Sequence, residues 1–114
     1  MQYIAEREDG ILIIQLQESV LNQQMTDDLR KVLFGGLRDN HRATILDFGD
    51  VTYAASLPLS ILFAIGEQLR DYGRRLLLVG VPEIVRQALQ FQYSTQPFEY
   101  CSDRLEALQA LQTV

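Results

Sequence analysis

Four kinds of residue in this chain could do chemistry, and the surroundings of each argue against it. The only histidine, His41, lies in the polar run Asp39-Asn40-His41-Arg42. A nucleophilic site needs a base held beside its nucleophile, and a histidine in a polar connection reads as a surface loop residue instead. Cys101, the only cysteine, sits between Tyr100 and Ser102. A helix N-terminus there could lower its thiol pKa, but the position reads as a packed, unreactive thiol. Lys31 is the only lysine, it follows no Gly-rich phosphate loop, and none of the seven glycines forms the dinucleotide fingerprint. Asp47 and Asp50 flank a turn and could hold a metal or exchange protons, yet two aspartates at this spacing more simply form the turn and cap its backbone. No nucleophile, base and orienting group can be named together. The chain is therefore not expected to be an enzyme, and no cofactor or metal is expected.

The elements that position these residues follow from local patterning. Gln2 to Glu8 alternates weakly, Asp9-Gly10 is a strong turn signal, and Ile11-Leu12-Ile13-Ile14-Gln15-Leu16 is apolar and β-branched, which predicts a hairpin. From about Asn22, Met25, Leu29, Val32, Leu33 and Leu37 recur at helical steps, with Asp27 and Asp28 near the positive end of the dipole. Gly35-Gly36 inside that helix means either an early end or a close packing contact. Ala43 to Phe48 reads as a strand, and Pro58 to Asp71 as a second helix stopped by Gly73. Arg75 to Val79 has the continuous apolar character of a central strand covered on both faces.

Gly80-Val81-Pro82 opens a third helix with Ile84, Val85, Ala88 and Leu89 spaced for burial, and Phe98-Glu99-Tyr100 reads as a last strand. Ser102-Asp103 begins a final helix with Leu105, Leu108 and Leu111 on one stripe. Phe91, Tyr93 and Phe98 read as core and loop anchors around the connection from Gln92 to Pro97. Strands alternating with helices of this length predict an α/β fold: a mixed, mostly parallel sheet with an N-terminal hairpin and about four helices.

The 114 residues, 47% hydrophobic and 22% charged, suit a single domain spanning 1–114 with one core. A lone cysteine suits a reducing compartment, so a cytoplasmic protein is expected. The net charge of -5 repels phosphate backbones and anionic lipid, which argues against nucleic acid as a partner. No apolar run approaches the roughly 20 residues that span a bilayer, and the N-terminus lacks the pattern of a signal peptide, so neither membrane insertion nor processing is expected.

The stretch Ile45-Leu46-Asp47-Phe48-Gly49-Asp50-Val51-Thr52-Tyr53-Ala54-Ala55-Ser56-Leu57-Pro58-Leu59-Ser60-Ile61-Leu62 resembles the central signature of STAS domains, the fold of anti-sigma factor antagonists. That signature runs approximately L-D-L-S-x-V-x-Y-I-D-S-S-G-L. The resemblance continues through Leu69 and Gly73 into Arg75-Leu76-Leu77-Leu78-Val79-Gly80-Val81 and covers nearly the whole chain. It implies a bacterial signalling or transcription-regulating module that binds a protein partner. In many members a kinase phosphorylates the second serine of D-S-S-G, at the start of the second helix, and the charge decides which protein is bound. By position, Ala55 stands for the aspartate, Ser56 for the first serine, Leu57 for the phosphoacceptor and Pro58 for the glycine. Leucine cannot accept phosphate, so the usual switch is expected to be missing.

The resemblance implies a partner surface at Asp50, Val51, Tyr53, Ala54, Ala55, Ser56, Leu57, Pro58, Leu59 and Ser60. That surface is either constitutive, with Pro58 fixing the helix start, or regulated by phosphate moved to Ser56 or Ser60; a serine at such a place more simply caps or stabilises the loop. The partners implied are an anti-sigma factor kinase or, for a small STAS subunit of a lipid transporter, the other transporter subunits. A homodimer is a further expectation, because the first strands leave a sheet edge and Leu57, Leu59 and Phe63 could enlarge an apolar surface. A nucleotide or small-ligand domain, with a crevice near Asp47 and Gly80, is the alternative from another class.

Overall fold

Asp9 and Gly10 set the first turn. Both have positive φ, 52° and 76°, the pair of left-handed conformations that a two-residue hairpin turn requires. The computed structural model describes residues 1–112 and runs β1 (Tyr3–Glu8), β2 (Ile11–Leu16), β3 (Val20–Leu21), a 3₁₀ turn (Gln23–Met25), α1 (Thr26–Arg38), β4 (Ala43–Asp47), β5 (Tyr53–Ala54), α2 (Ser56–Asp71), β6 (Arg75–Val79), α3 (Glu83–Gln92), β7 (Glu99–Cys101) and α4 (Arg104–Gln112). The main sheet has the order β1-β2-β4-β6-β7. Only β1 is antiparallel to its neighbour; the pairs β2 with β4, β4 with β6 and β6 with β7 are parallel.

Each crossover steps in the same direction along the sheet, so right-handed connections place α1, α2 and α3 on one face. Leu12, Ile14, Leu46, Leu76 and Leu78 meet Leu29, Leu33, Leu62, Leu69 and Leu89 of those helices in the larger core. The alternate strand residues Ile11, Ile13, Ile45, Leu77 and Val79 form a second core beneath Ala107 and Leu111 of α4. The three interior strands β2, β4 and β6 are therefore covered on two sides, with β4 in the middle of the sheet.

Of the two meanings open to Gly35-Gly36, close packing is the one realised. A Cβ on Gly36 would collide with Thr44 Oγ1, and α1 continues to Arg38 with its backbone pressed on β4. Gly73 stops α2 at φ 72°, with its N–H donating to the Arg70 carbonyl at 2.9 Å and the Arg74 N–H to the Leu69 carbonyl at 2.8 Å, the paired closure of a Schellman end.

Several sequence expectations are corrected. His41 is buried, 5% exposed, with Nδ1 3.3 Å from the Gly35 carbonyl oxygen; Asn40 reverses the chain at φ 59° and carries the following residue inward. Helix α3 buries Val85 and Leu89 one turn apart and leaves Ile84 exposed, while Phe91 is 93% exposed and anchors nothing. Tyr93 and Phe98 do anchor: Tyr93 stacks on Phe63 at 3.9 Å, and Phe98 meets Tyr100 edge-on at 5.7 Å. In α4 a pure three-residue spacing drifts about 60° per step around the helix. Leu111 is therefore buried, Leu108 half-buried and Leu105 exposed.

Carboxylates at the periphery are held ionised by fixed partners. Arg75 forks onto Glu99, Nε to Oε2 at 2.8 Å and Nη2 to Oε1 at 2.6 Å, and this lowers the Glu99 pKa. Arg7 at 2.7 Å lowers Asp39, and the terminal ammonium at 2.7 Å lowers Asp28. A carboxylate with a depressed folded pKa adds stability above its unfolded pKa and loses it as pH falls through the folded one. The melting temperature is thus expected to hold through mildly acid pH and to fall below about pH 4. Glu99→Gln should make that acid decline shallower, as followed by circular dichroism melts across pH.

Candidate functional site

The approach to α2 is built by a chain of backbone contacts. Phe48 is fully buried after β4, its N–H donating to the Val79 carbonyl at 2.9 Å and its carbonyl accepting from the Val51 N–H at 3.0 Å. Asp47 Oδ1 accepts the Gly49 N–H at 2.9 Å, and Gly49 sits at φ 55° with the Leu16 carbonyl only 2.7 Å from where a Cβ would lie. A bulky residue there would meet a backbone atom that cannot move aside, so the turn is specific to its sequence. The chain is then pinned to the β3 segment: the Thr52 N–H donates to the Ser19 carbonyl at 2.8 Å and the Ala55 N–H to the Leu21 carbonyl at 2.8 Å, on either side of the parallel pair β3 and β5. This small second sheet gave no signal in the sequence, because two-residue strands have no measurable alternation.

Helix α2 begins two residues earlier than Pro58. Ala55 is the N-cap, in extended conformation and with no side-chain cap, so Ser56 does not cap the helix and is its first residue. Pro58 is accommodated because backbone N–H groups in the first turn have no intrahelical acceptor to lose. Ser60 Oγ donates back to the Leu57 carbonyl at 2.7 Å.

The ten residues expected at a partner surface divide in two. Val51, Ala54, Pro58 and Leu59 are buried and hold the loop to the core, so they present no surface. Asp50, Tyr53, Ser56 and Leu57 are exposed, with Ala55 and Ser60 half-buried between them. Leu57, 44% exposed, lines a shallow groove of about 440 Å³ with Gln23, Gln24, Asp27 and Arg30. Those polar residues come from the 3₁₀ turn and the start of α1, and nothing in their local sequence ties them to Leu57. Arg30 is itself fixed to Asp27 at 2.6 Å. The result is one exposed apolar side chain with a polar border at the start of α2.

The candidates for chemistry are engaged otherwise. Asp47 Oδ2 faces Arg104 at 3.6 Å, and among the described residues no group of three or more His, Cys, Asp or Glu side chains converges to hold a metal. Burial and the neighbouring carboxylates of Glu106 and Glu99 push the Cys101 thiol pKa up, away from the reactive thiolate. Alkylation of Cys101 in the folded chain at neutral pH is expected to be slower than in the urea-unfolded chain, and Glu106→Gln should speed it; mass-spectrometric timing of iodoacetamide labelling checks both. Near Gly80 the carboxyl ends of β6 and β7 border a crevice of about 410 Å³ with Arg86, Tyr100 and Cys101. Its walls carry one cation, Arg86, lying over the Tyr100 ring at 4.6 Å, and one anion, Glu106, whose carboxylate accepts the Ser102 N–H at 3.0 Å.

Comparison with known proteins agrees with this architecture. The family model for the STAS domain matches residues 2–93. BtrV of Bordetella bronchiseptica, assigned as an anti-sigma factor antagonist, is 26% identical over 113 residues, covering 99% of this chain and 97% of that protein. A crystal structure from Thermotoga maritima with the same assignment superposes with a TM-score of 0.81 at 20% identity, covering 96% of this chain and 94% of that one. The Bacillus anti-sigma factor antagonist SpoIIAA, in its unphosphorylated form, superposes with a TM-score of 0.78 at 16% identity over 99% of this chain and 100% of its own. With its hairpin-led, otherwise parallel sheet and its match to the family over most of its length, the chain belongs to the STAS domain family.

Proposed function

We propose that this chain is a non-catalytic docking module of the anti-sigma factor antagonist type, acting in the cytoplasm by binding a protein partner through the start of α2. The observation that carries this reading is Leu57. In the first turn of α2 it is an exposed apolar side chain bordered by polar groups, at the position where phosphoacceptor members of the family carry serine. Tyr53, Ser56 and Asp50 extend the surface, and the buried Val51, Ala54 and Leu59 fix its shape. A leucine removes the acceptor oxygen, so the partner is bound without a phosphate switch at that position.

Affinity purification of the tagged chain from its own cells, with the bound proteins and the phosphorylation state both read by mass spectrometry, tests this. The expected outcome is recovery of an anti-sigma factor kinase with an unphosphorylated chain. Substantial phosphate on Ser56 or Ser60 would overturn the unregulated reading, and recovery of transporter subunits instead would replace the anti-sigma factor reading with the transporter one.

A further inference from the structure

Strand β1 forms one edge of the main sheet, and all six of its residues are exposed. Glu8 and Ile11 close the two-residue turn, and the Gln17 N–H donates to the Gln2 carbonyl at 2.9 Å. Pairing in an antiparallel ladder alternates, so the even-numbered residues direct their main-chain groups to β2. Tyr3, Ala5 and Arg7 direct theirs away from the sheet. The side chains of this outward set lie toward α1, where they border a groove of about 330 Å³ floored by Leu12, Val32 and Gly35. Arg7, Lys31 and Arg38 line it against a single carboxylate, Asp39, which lies 2.7 Å from Arg7 and 3.5 Å from Arg38. In a chain of net charge -5 this is a locally positive groove beside unpaired strand donors and acceptors.

We propose that this edge takes an extended acidic segment of a partner protein as a sixth strand. Its main chain pairs with Tyr3, Ala5 and Arg7, and its carboxylates reach Lys31 and Arg38. A second copy of the chain is the poorer occupant. Two-fold pairing centred on Ala5 sets Tyr3 opposite the partner's Arg7 and lines one trench with two sets of Arg7, Lys31 and Arg38, with like charges facing. The site lies outside the α2 docking surface and stands or falls independently of it.

The test is an amide NMR titration of the full chain with a ten-residue peptide of alternating Glu and Val, and with its Lys and Val counterpart. The expected result with the acidic peptide is shifts confined to β1 and to Lys31 through Arg38. Amide exchange at Tyr3, Ala5 and Arg7 should slow at least tenfold, with little change at Ile4, Glu6 and Glu8. The basic peptide should not bind, and the double variant Lys31→Glu with Arg38→Glu should bind the acidic one at least tenfold more weakly. Ala5→Pro removes one outward N–H without touching the β2 ladder and should also weaken binding, its fold checked by unchanged β4 and β6 amides. Equal binding of the two peptides, no β1 shifts at millimolar acidic peptide, or shifts at the start of α2 instead would overturn the proposal. So would β1 shifts that depend on protein concentration without peptide, which would give the edge to a second copy.

Discussion

Replacing Leu57 by aspartate is expected to weaken partner binding by about 2–4 kcal/mol, roughly thirty-fold to a thousand-fold, while leaving the fold intact. The two effects separate because of where Leu57 sits. It is exposed in the first turn of α2, so its replacement removes little core contact, and a carboxylate there lies at the positive end of the helix dipole. Unfolding free energy should therefore stay within about 0.5 kcal/mol of the wild type or rise slightly. In the complex the same carboxylate would be buried against a partner surface that accepts an apolar side chain, and Arg30, which lines the same groove, is already held by Asp27. Leu57→Met keeps volume and polarity and should change affinity by less than about threefold. Calorimetric titration with the captured partner and urea unfolding of each variant measure the two quantities, and an unchanged affinity for Leu57→Asp would remove Leu57 from the interface.

Phe48→Ala should cost about 3–5 kcal/mol of folding stability, a large part of what a domain of this size possesses. Phe48 is fully buried in the larger core, and its backbone is bonded on one side to Val79 and on the other to Val51. A cavity there cannot collapse easily, because the main chain on both flanks is held. The consequence reaches the site: with the anchor gone, the contacts from Thr52 to Ser19 and from Ala55 to Leu21 should open more often. A lowered urea midpoint together with faster amide exchange at Thr52 and Ala55 would show both effects. Phe48→Leu, which keeps an apolar side chain in place, should cost less. A loss under about 1.5 kcal/mol for the alanine variant would mean that Phe48 does not anchor the loop.

What the sequence revealed depended on how local the cause was. The Asp9-Gly10 turn, the Gly73 stop and the apolar run of β6 each follow from the conformational or burial preference of a few adjacent residues, and each appears as expected. The start of α2 reads at about Pro58, two residues late, because the proline occupies the third helical position and not the first. The first helix reads from about Asn22, where a 3₁₀ turn precedes α1 at Thr26. Burial at helix surfaces was less legible: Ile84 and Leu105 match an apolar pattern, but only the direction from which the sheet approaches decides which residues it covers. His41 was misplaced because a polar run looks solvated until the chain reversal at Asn40 turns the histidine inward. The border of the candidate site was the least visible part. Gln23, Gln24 and Arg30 reach Leu57 only through tertiary packing, and the β3 and β5 pair that fixes the loop consists of two residues a side.

Hydrogen–deuterium exchange of the chain alone and bound to the partner recovered from its own cells tests docking through the start of α2 most directly. New protection is expected at Tyr53, Ser56 and Leu57 and at Gln23 and Gln24, with β7 and α4 exchanging as in the free chain. Protection confined to α4 or to the β1 edge, with the start of α2 unchanged, would contradict that docking.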